Sequence, residues 1–223
     1  MKHLLHSAVF AAMCASAALA QAPNLLQPST LRATAPATFR VKMTTTKGDI
    51  VMEITRSWAP HGVDRFYNLV RAGYFTDCSF YRVMPNFMAQ FGISARPEVN
   101  KAWQNANIPD DPRNAQSNKR GMVTFATTGQ PNSRGTALFI NIADNSYLDG
   151  QGFVPIGQVI EGMEHVDMLY NGYGDTSTRQ ASFEQGGKAF VDRTYPKLDR
   201  ILTAVTIANL PVPAAKSTAP AAK

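Results

Sequence analysis

The chain has 223 residues, 44% of them apolar and 17% charged, with a formal charge of +6. That size and apolar fraction suit one packed domain with tails. The Lys and Arg residues are scattered and never run to four, so the positive balance reads as solubility, and no nucleic-acid partner is expected.

Residues 1–20 read MKHLLHSAVFAAMCASAALA, with Lys2 in front, an apolar run to about Ala15, and Ala18-Leu19-Ala20 as a small-x-small cleavage site. This is the pattern of a secretory signal peptide, and the run is short for a membrane span. Cleavage after Ala20 removes Cys14 and leaves Cys78 alone, so no intramolecular disulfide can form. The expected product is exported to the periplasm, with no stable membrane insertion. Residues 21–37, rich in Ala, Pro, Gln, Ser and Thr, read as a disordered leader. The stretch PVPAAKSTAPAAK at 211–223 reads as a Pro/Ala-rich disordered tail, which bounds the domain at 38–210.

Within the domain, FRVKMTT at 39–45 and IVMEIT at 50–55 alternate apolar and polar residues about a Lys-Gly-Asp turn, which predicts a hairpin. A helix follows from Pro60, with Val63, Phe66, Tyr67 and Val70 on one face and Gly73 as its stop. Residues 78–83 and 87–91 predict a second hairpin, and 103–120 reads as a polar loop. Short strands are predicted at 122–127, 137–141 and 153–159, a second short helix after Gly162, and a last strand at 201–207. The stretch 172–195 is polar and reads as a surface loop feeding that last strand. A mainly β domain with two helices follows: a closed antiparallel barrel with helical lids, its last strand pairing near its first.

Hydrolytic chemistry has no support. There is no GxSxG, and Cys78 reads as a packing residue at a strand start. His61 and His165 fall on the two predicted helices, far apart, and no HExxH is present, so no metal site and no cofactor are expected. Asp110-Asp111 before Pro112 reads as turn chemistry, with cation binding as the weaker alternative. No glycine-rich phosphate loop has the right spacing.

What remains is FYRVMPNFMAQFG at 80–92, where one charge, Arg82, stands among apolar residues. Composition leaves two readings open. Arg82 either lies on a barrel exterior with its stem packed on aromatics, or serves a reaction that needs no nucleophile. Rotation about an X–Pro bond is such a reaction, opposed by a barrier of ~18–20 kcal/mol from amide resonance. It needs an apolar pocket for the proline ring and a donor that holds the twisted amide more tightly than the planar one. A guanidinium is always protonated and carries five donors in a rigid fork.

FYRVMPNFMAQFG resembles the FHRVIxxFMxQGG signature of the cyclophilins, peptidyl-prolyl cis-trans isomerases of exported bacterial form among others. GMVTFAT at 121–127, GTALFIN at 135–141, Tyr147-Leu148-Asp149-Gly150 and FVPIGQVIEGM at 153–163 resemble later family motifs in the same order. The resemblance covers about residues 38–208. It implies a closed eight-stranded antiparallel barrel capped by two helices. It implies Arg82 as the catalytic arginine and Gln90 as the glutamine that orients it. Phe87, Met88, Phe139 and Leu148 take the proline-pocket positions, Ala126 and Thr127 the peptide-backbone pair, Tyr147 the pocket rim, and Phe153 the position near the family's histidine. The chain departs from the family at Thr127, Tyr147, Ala137, Phe91 and Ile93. The implied function is peptidyl-prolyl isomerisation that assists folding of exported proteins. Its partners would be unfolded or extended X–Pro-containing polypeptides, and the protein a monomer. A proline-binding holdase with weak catalysis is the alternative, motivated by Ala137 and Thr127.

Overall fold

The structure, a computed structural model, describes residues 24–113 and 115–208. The segments expected to be a signal peptide, 1–20, and a tail, 211–223, lie outside the described residues. Among the described residues there are nine strands: β1 (Thr38–Thr45), β2 (Gly48–Thr55), β3 (Cys78–Ser79), β4 (Arg82–Met84), β5 (Met88–Phe91), β6 (Met122–Phe125), β7 (Leu138–Asn141), β8 (Pro155–Glu161) and β9 (Arg200–Ile207). Four helices accompany them: α1 (Pro60–Arg71), α2 (Pro97–Trp103), α3 (Met163–Asp167) and α4 (Gln180–Thr194).

All strands join one antiparallel sheet in the order β3-β9-β1-β2-β8-β6-β7-β5-β4. The sheet is a curled, open half-barrel of nine strands, not the closed eight-stranded barrel that the sequence suggests. The reason lies at Phe80 and Tyr81. The single strand expected over 78–83 splits there, its first half pairing with β9 and its second half with β5. Both residues are buried, but in different places: Phe80 enters the main core, and Tyr81 enters a second cluster with Phe183, Val191 and Leu198. The pairing partner changes at this point, since the Phe80 amide still donates to the Asp199 carbonyl beside β9 whereas Arg82 pairs with Gln90 on β5. The last strand does pair with the first, as β9 with β1.

The first hairpin and α1 form where the alternation and the helical spacing place them. Pro60 sits in the first turn of α1, where a missing N–H costs nothing. The next two amides, of His61 and Gly62, donate to the two oxygens of Asp111 at 2.8 and 2.8 Å. Asp111 therefore closes the helix N-terminus from a distant loop, and burial pushes its carboxyl above the ordinary range. Its neighbour Asp110 pairs with Arg134. The two carboxylates thus diverge to separate partners. Among the described residues, no three His, Cys, Asp or Glu side chains gather.

Two corrections concern stretches read as irregular. Residues 24–37, expected as disordered leader, pack along α1 and α2: Leu25 and Ala35 are buried. Trp103 Nε1 donates to the Leu25 carbonyl at 2.8 Å, and the amides of Ala33 and Ala35 donate to Asn68 and Asp64. The stretch 172–195, expected as a surface loop, carries α4. This helix is broken at Gly187, whose φ of 52° is in the left-handed region and whose missing Cβ would fall 2.5 Å from the Ala95 carbonyl. The close approach lets the Lys188 amide reach that carbonyl at 2.8 Å and seats α4 on α2. Among the described residues, no helix is long and apolar enough to cross a membrane.

Candidate active site

Strand register decides which side chains share a face. Val83, Ala89, Ile140 and Val123 are cross-strand partners on β4, β5, β7 and β6, and all belong to the main core inside the curl. One residue along, Arg82, Gln90 and Phe139 form the adjacent row. Side chains alternate with a period of two, so this row projects from the outer face. Met84 and Met88 form the next outward row. A slip of one residue would bury the guanidinium and expose the core row.

On that outer face Met88, Phe139 and Leu148 make a separate buried apolar cluster, with Met84, Phe87, Ala126 and Phe153 packed against it. Six residues named from sequence as substrate contacts, Phe87, Met88, Ala126, Phe139, Leu148 and Phe153, thus meet in one place. Phe139 and Phe153 meet edge to face at 5.8 Å between centroids. Tyr147 stands at the rim, 60% exposed, stacked on Phe87. Thr127 is set differently from a free peptide-binding side chain: its hydroxyl shares a hydrogen bond with Ser133 at 2.6 Å and accepts from the Gly129 amide.

The floor is held from beneath by a buried polar network. Asn118 donates to Asp149 at 2.7 Å and to the Phe153 carbonyl at 2.8 Å, and accepts from the Thr124 hydroxyl. Asn145 donates to the carbonyl of Phe87 at 2.8 Å and to Asn141 at 2.7 Å. Among the described residues no buried side-chain nitrogen or oxygen lacks a partner, so the network is fully satisfied and pins both pocket loops.

Arg82 lies beside this recess, with its guanidinium carbon 5.8 Å from the centroid of Phe87. Its Nη1 faces Gln90 Oε1 at 3.4 Å, the long end of hydrogen-bonding distance. Its other edge makes the shorter contacts: Nε and Nη2 donate to the two oxygens of Asp175 at 2.8 and 3.0 Å. The Arg82 guanidinium, with the Ser177 amide, holds the Asp175 carboxyl far below the usual carboxylate range. Asp175 was not singled out from the sequence. It is 93 residues from Arg82 and only the Gly-Tyr-Gly-Asp turn marks it.

Beyond Gln90 and Ala126 a cleft of about 540 Å³ opens between the 127–137 loop and the two packed helices, with Gln180 and Glu184 of α4 on its wall. Cys78 lies behind it, fully buried, its sulfur accepting from the Gly92 amide and its thiol pushed up to about 12 by burial. It is a packing residue, as expected from its place at a strand start. His61 and His165 do not line the cleft or the recess.

An apolar recess with a fixed cation beside it, on the outer face of a curled antiparallel sheet, suits a short extended peptide with a ring-bearing residue. The half-barrel and this site together define a mainly β protein with an apolar recess and a cation on its outer face. Comparison with known proteins makes the assignment specific. The model described as cyclophilin type peptidyl-prolyl cis-trans isomerase/CLD matches residues 40–185. The peptidyl-prolyl cis-trans isomerase of Acinetobacter baylyi is 34% identical over 145 residues, covering 63% of this chain and 77% of that protein. Peptidyl-prolyl cis-trans isomerase B of Escherichia coli is 29% identical over 172 residues, covering 74% of this chain and 97% of that one. A crystal structure of a Cryptosporidium parvum cyclophilin shares the fold with a TM-score of 0.60 at 21% identity, covering 78% of this chain and 99% of that chain. The chain belongs to the cyclophilin-type peptidyl-prolyl cis-trans isomerase family.

Proposed function

We propose that this isomerase twists X–Pro bonds in the recess of Phe87, Met88, Phe139 and Leu148, with Arg82 as the donor, and that its clients are exported proteins in the course of folding. The observation that carries the site is the outward row Arg82–Gln90–Phe139 running into the buried cluster. The proline ring sits on the apolar floor. The guanidinium, on its free edge, donates to the amide as resonance is lost. A twisted amide is more basic, so this hydrogen bond strengthens toward the transition state and lowers the barrier. No bond is cleaved, so no nucleophile or base is needed. The N-terminal signal-peptide pattern supports the exported role, and the lone Cys78 suits a fold that stands on packing alone.

The test is the wild-type protein with a short X–Pro peptide, followed by NMR exchange between cis and trans signals. Exchange is expected to accelerate at catalytic protein concentration. Suppressed aggregation of a denatured client without faster exchange would instead establish a holdase.

The rate is also expected to be nearly independent of pH. The folded pKa of Asp175 is lowered, so its ion pair is fully present above the unfolded value of about 3.9. It is lost only as pH falls through the depressed folded value. Over pH 5–8 the exchange rate constant is expected to vary by less than about twofold. A bell-shaped profile in that window would show a titrating group at the site.

A further inference from the structure

We infer that Asp175 is a positioning residue for the isomerisation, holding the Arg82 guanidinium in the orientation that presents its free edge to the substrate amide. The inference rests on Arg82 being the donor. Of the two side chains on Arg82, Asp175 makes two contacts at 2.8 and 3.0 Å, whereas Gln90 makes one at 3.4 Å. A bidentate carboxylate fixes the plane of a guanidinium as well as its place. A single long contact does not. The fork occupies the Nε–Nη2 edge and leaves Nη1 on the side of Gln90 and the recess.

Asp175 is itself immobilised. Its Oδ1 accepts from the Ser177 amide at 2.9 Å, which closes a local turn. The next residue, Thr176, is buried and its hydroxyl donates to the Tyr81 carbonyl, immediately before Arg82 in the chain. Gln180, at the start of α4, donates to the Tyr81 hydroxyl at 3.2 Å. The Tyr81 ring packs on Phe183 at 5.7 Å between centroids. The segment from Asp175 through α4 is thus bonded to the strand that carries Arg82. Its seat on α2 through Gly187 fixes the other end. The same backbone that bears the cation anchors the carboxylate that aims it. Without that carboxylate a long, flexible side chain would sample many rotamers, and only a fraction would face the twisted amide.

The test compares kcat and KM on a proline peptide for wild type, Asp175→Asn, Asp175→Glu, Gln90→Ala and Arg82→Ala, with thermal midpoints measured alongside. Asp175→Asn is expected to lower kcat by at least about tenfold with KM little changed, the pattern of lost orientation in the transition state. Asp175→Glu, which keeps the charge, is expected to retain more activity than Asp175→Asn, and Gln90→Ala to cost less than Asp175→Asn. The Arg82 Nε–H and Ser177 amide resonances are expected to shift in Asp175→Asn while resonances away from these contacts stay in place. A smaller fall in kcat, a change confined to KM, or faster turnover in Asp175→Asn would overturn the inference. Full activity in Arg82→Ala would instead remove Arg82 as donor, which is a failure of the site assignment and distinct from a failure at Asp175.

Discussion

Arg82→Ala is expected to lose about 10²–10³ of kcat/KM in the X–Pro exchange assay, the usual loss when one transition-state donor is removed. The fold should survive. The Arg82 side chain is 19% exposed and its ion-pair partner Asp175 is 45% exposed, and pairs of that kind contribute roughly 0–1 kcal/mol once solvent screening is counted. The guanidinium carbon lies 5.8 Å from the Phe87 centroid, and losing that cation–π contact adds a small further cost. The thermal midpoint should therefore move little while activity collapses. Arg82→Lys is expected to rescue poorly. An ammonium is a point donor and cannot grip both oxygens of Asp175 on one edge while reaching the substrate with the other. Wild-type activity in a folded Arg82→Ala would exclude the guanidinium as the donor.

Phe91→Ala is expected to cost about 3–5 kcal/mol of stability, the range for a phenylalanine removed from a packed core. For a domain of this size that lowers the thermal midpoint by about 6–20 °C. Phe91 occupies a position where the cyclophilin signature that the chain resembles has glycine. It is fully buried and belongs to the main core. Its ring meets Phe75 at 5.7 Å and Phe80 at 5.6 Å, both edge to face. Aromatic pairs of this geometry stabilise beyond their buried area. The inward direction follows from register, since Gln90 next to it faces the site and Phe91 therefore faces the core. The variant should accordingly keep its kcat at temperatures where it remains folded. The glycine that this segment does require is Gly92. Its φ is 108°, and a Cβ there would fall 2.2 Å from the Thr136 carbonyl. An unchanged thermal midpoint in Phe91→Ala would show that the core collapses around the vacancy or never depended on the ring.

The recess was legible in the sequence through the resemblance to the cyclophilins, whose short motifs hold its residues. Phe87 and Met88 stand together in one such motif and Tyr147 and Leu148 in another, while it is the strand register that separates Arg82 and Gln90 from Val83 and Ala89. Helix α4 was not legible. Its buried face is Phe183, Gly187 and Val191, so the middle position that should have carried an apolar signal is the glycine needed for close approach to Ala95. Two apolar residues eight apart do not make a helical period. Helix α2 hid for a similar reason, since only Val99 and Trp103 are buried on it. The leader was misread because its composition is that of a disordered segment. Residues 24–37 are ordered instead by backbone hydrogen bonds to Asn68, Asp64 and Trp103, which composition does not report.

Sequence alone determined the family resemblance, the first hairpin, helix α1, the apolar floor and the identity of the cation beside it. The hairpin and α1 rest on spacing within a few residues, where the periods of strand and helix act directly, whereas the apolar floor and its cation rest on the resemblance to the cyclophilins. Tertiary structure alone decided three further things. It split the expected strand at Phe80 and Tyr81, where pairing passes from β9 to β5. It turned Asp111 from a candidate cation ligand into the cap of α1. And it brought Asp175 to Arg82 across 93 residues. Contacts at that separation are selected by the packing of whole elements, here α4 on α2 and on Tyr81, and no local pattern records which charge will meet which.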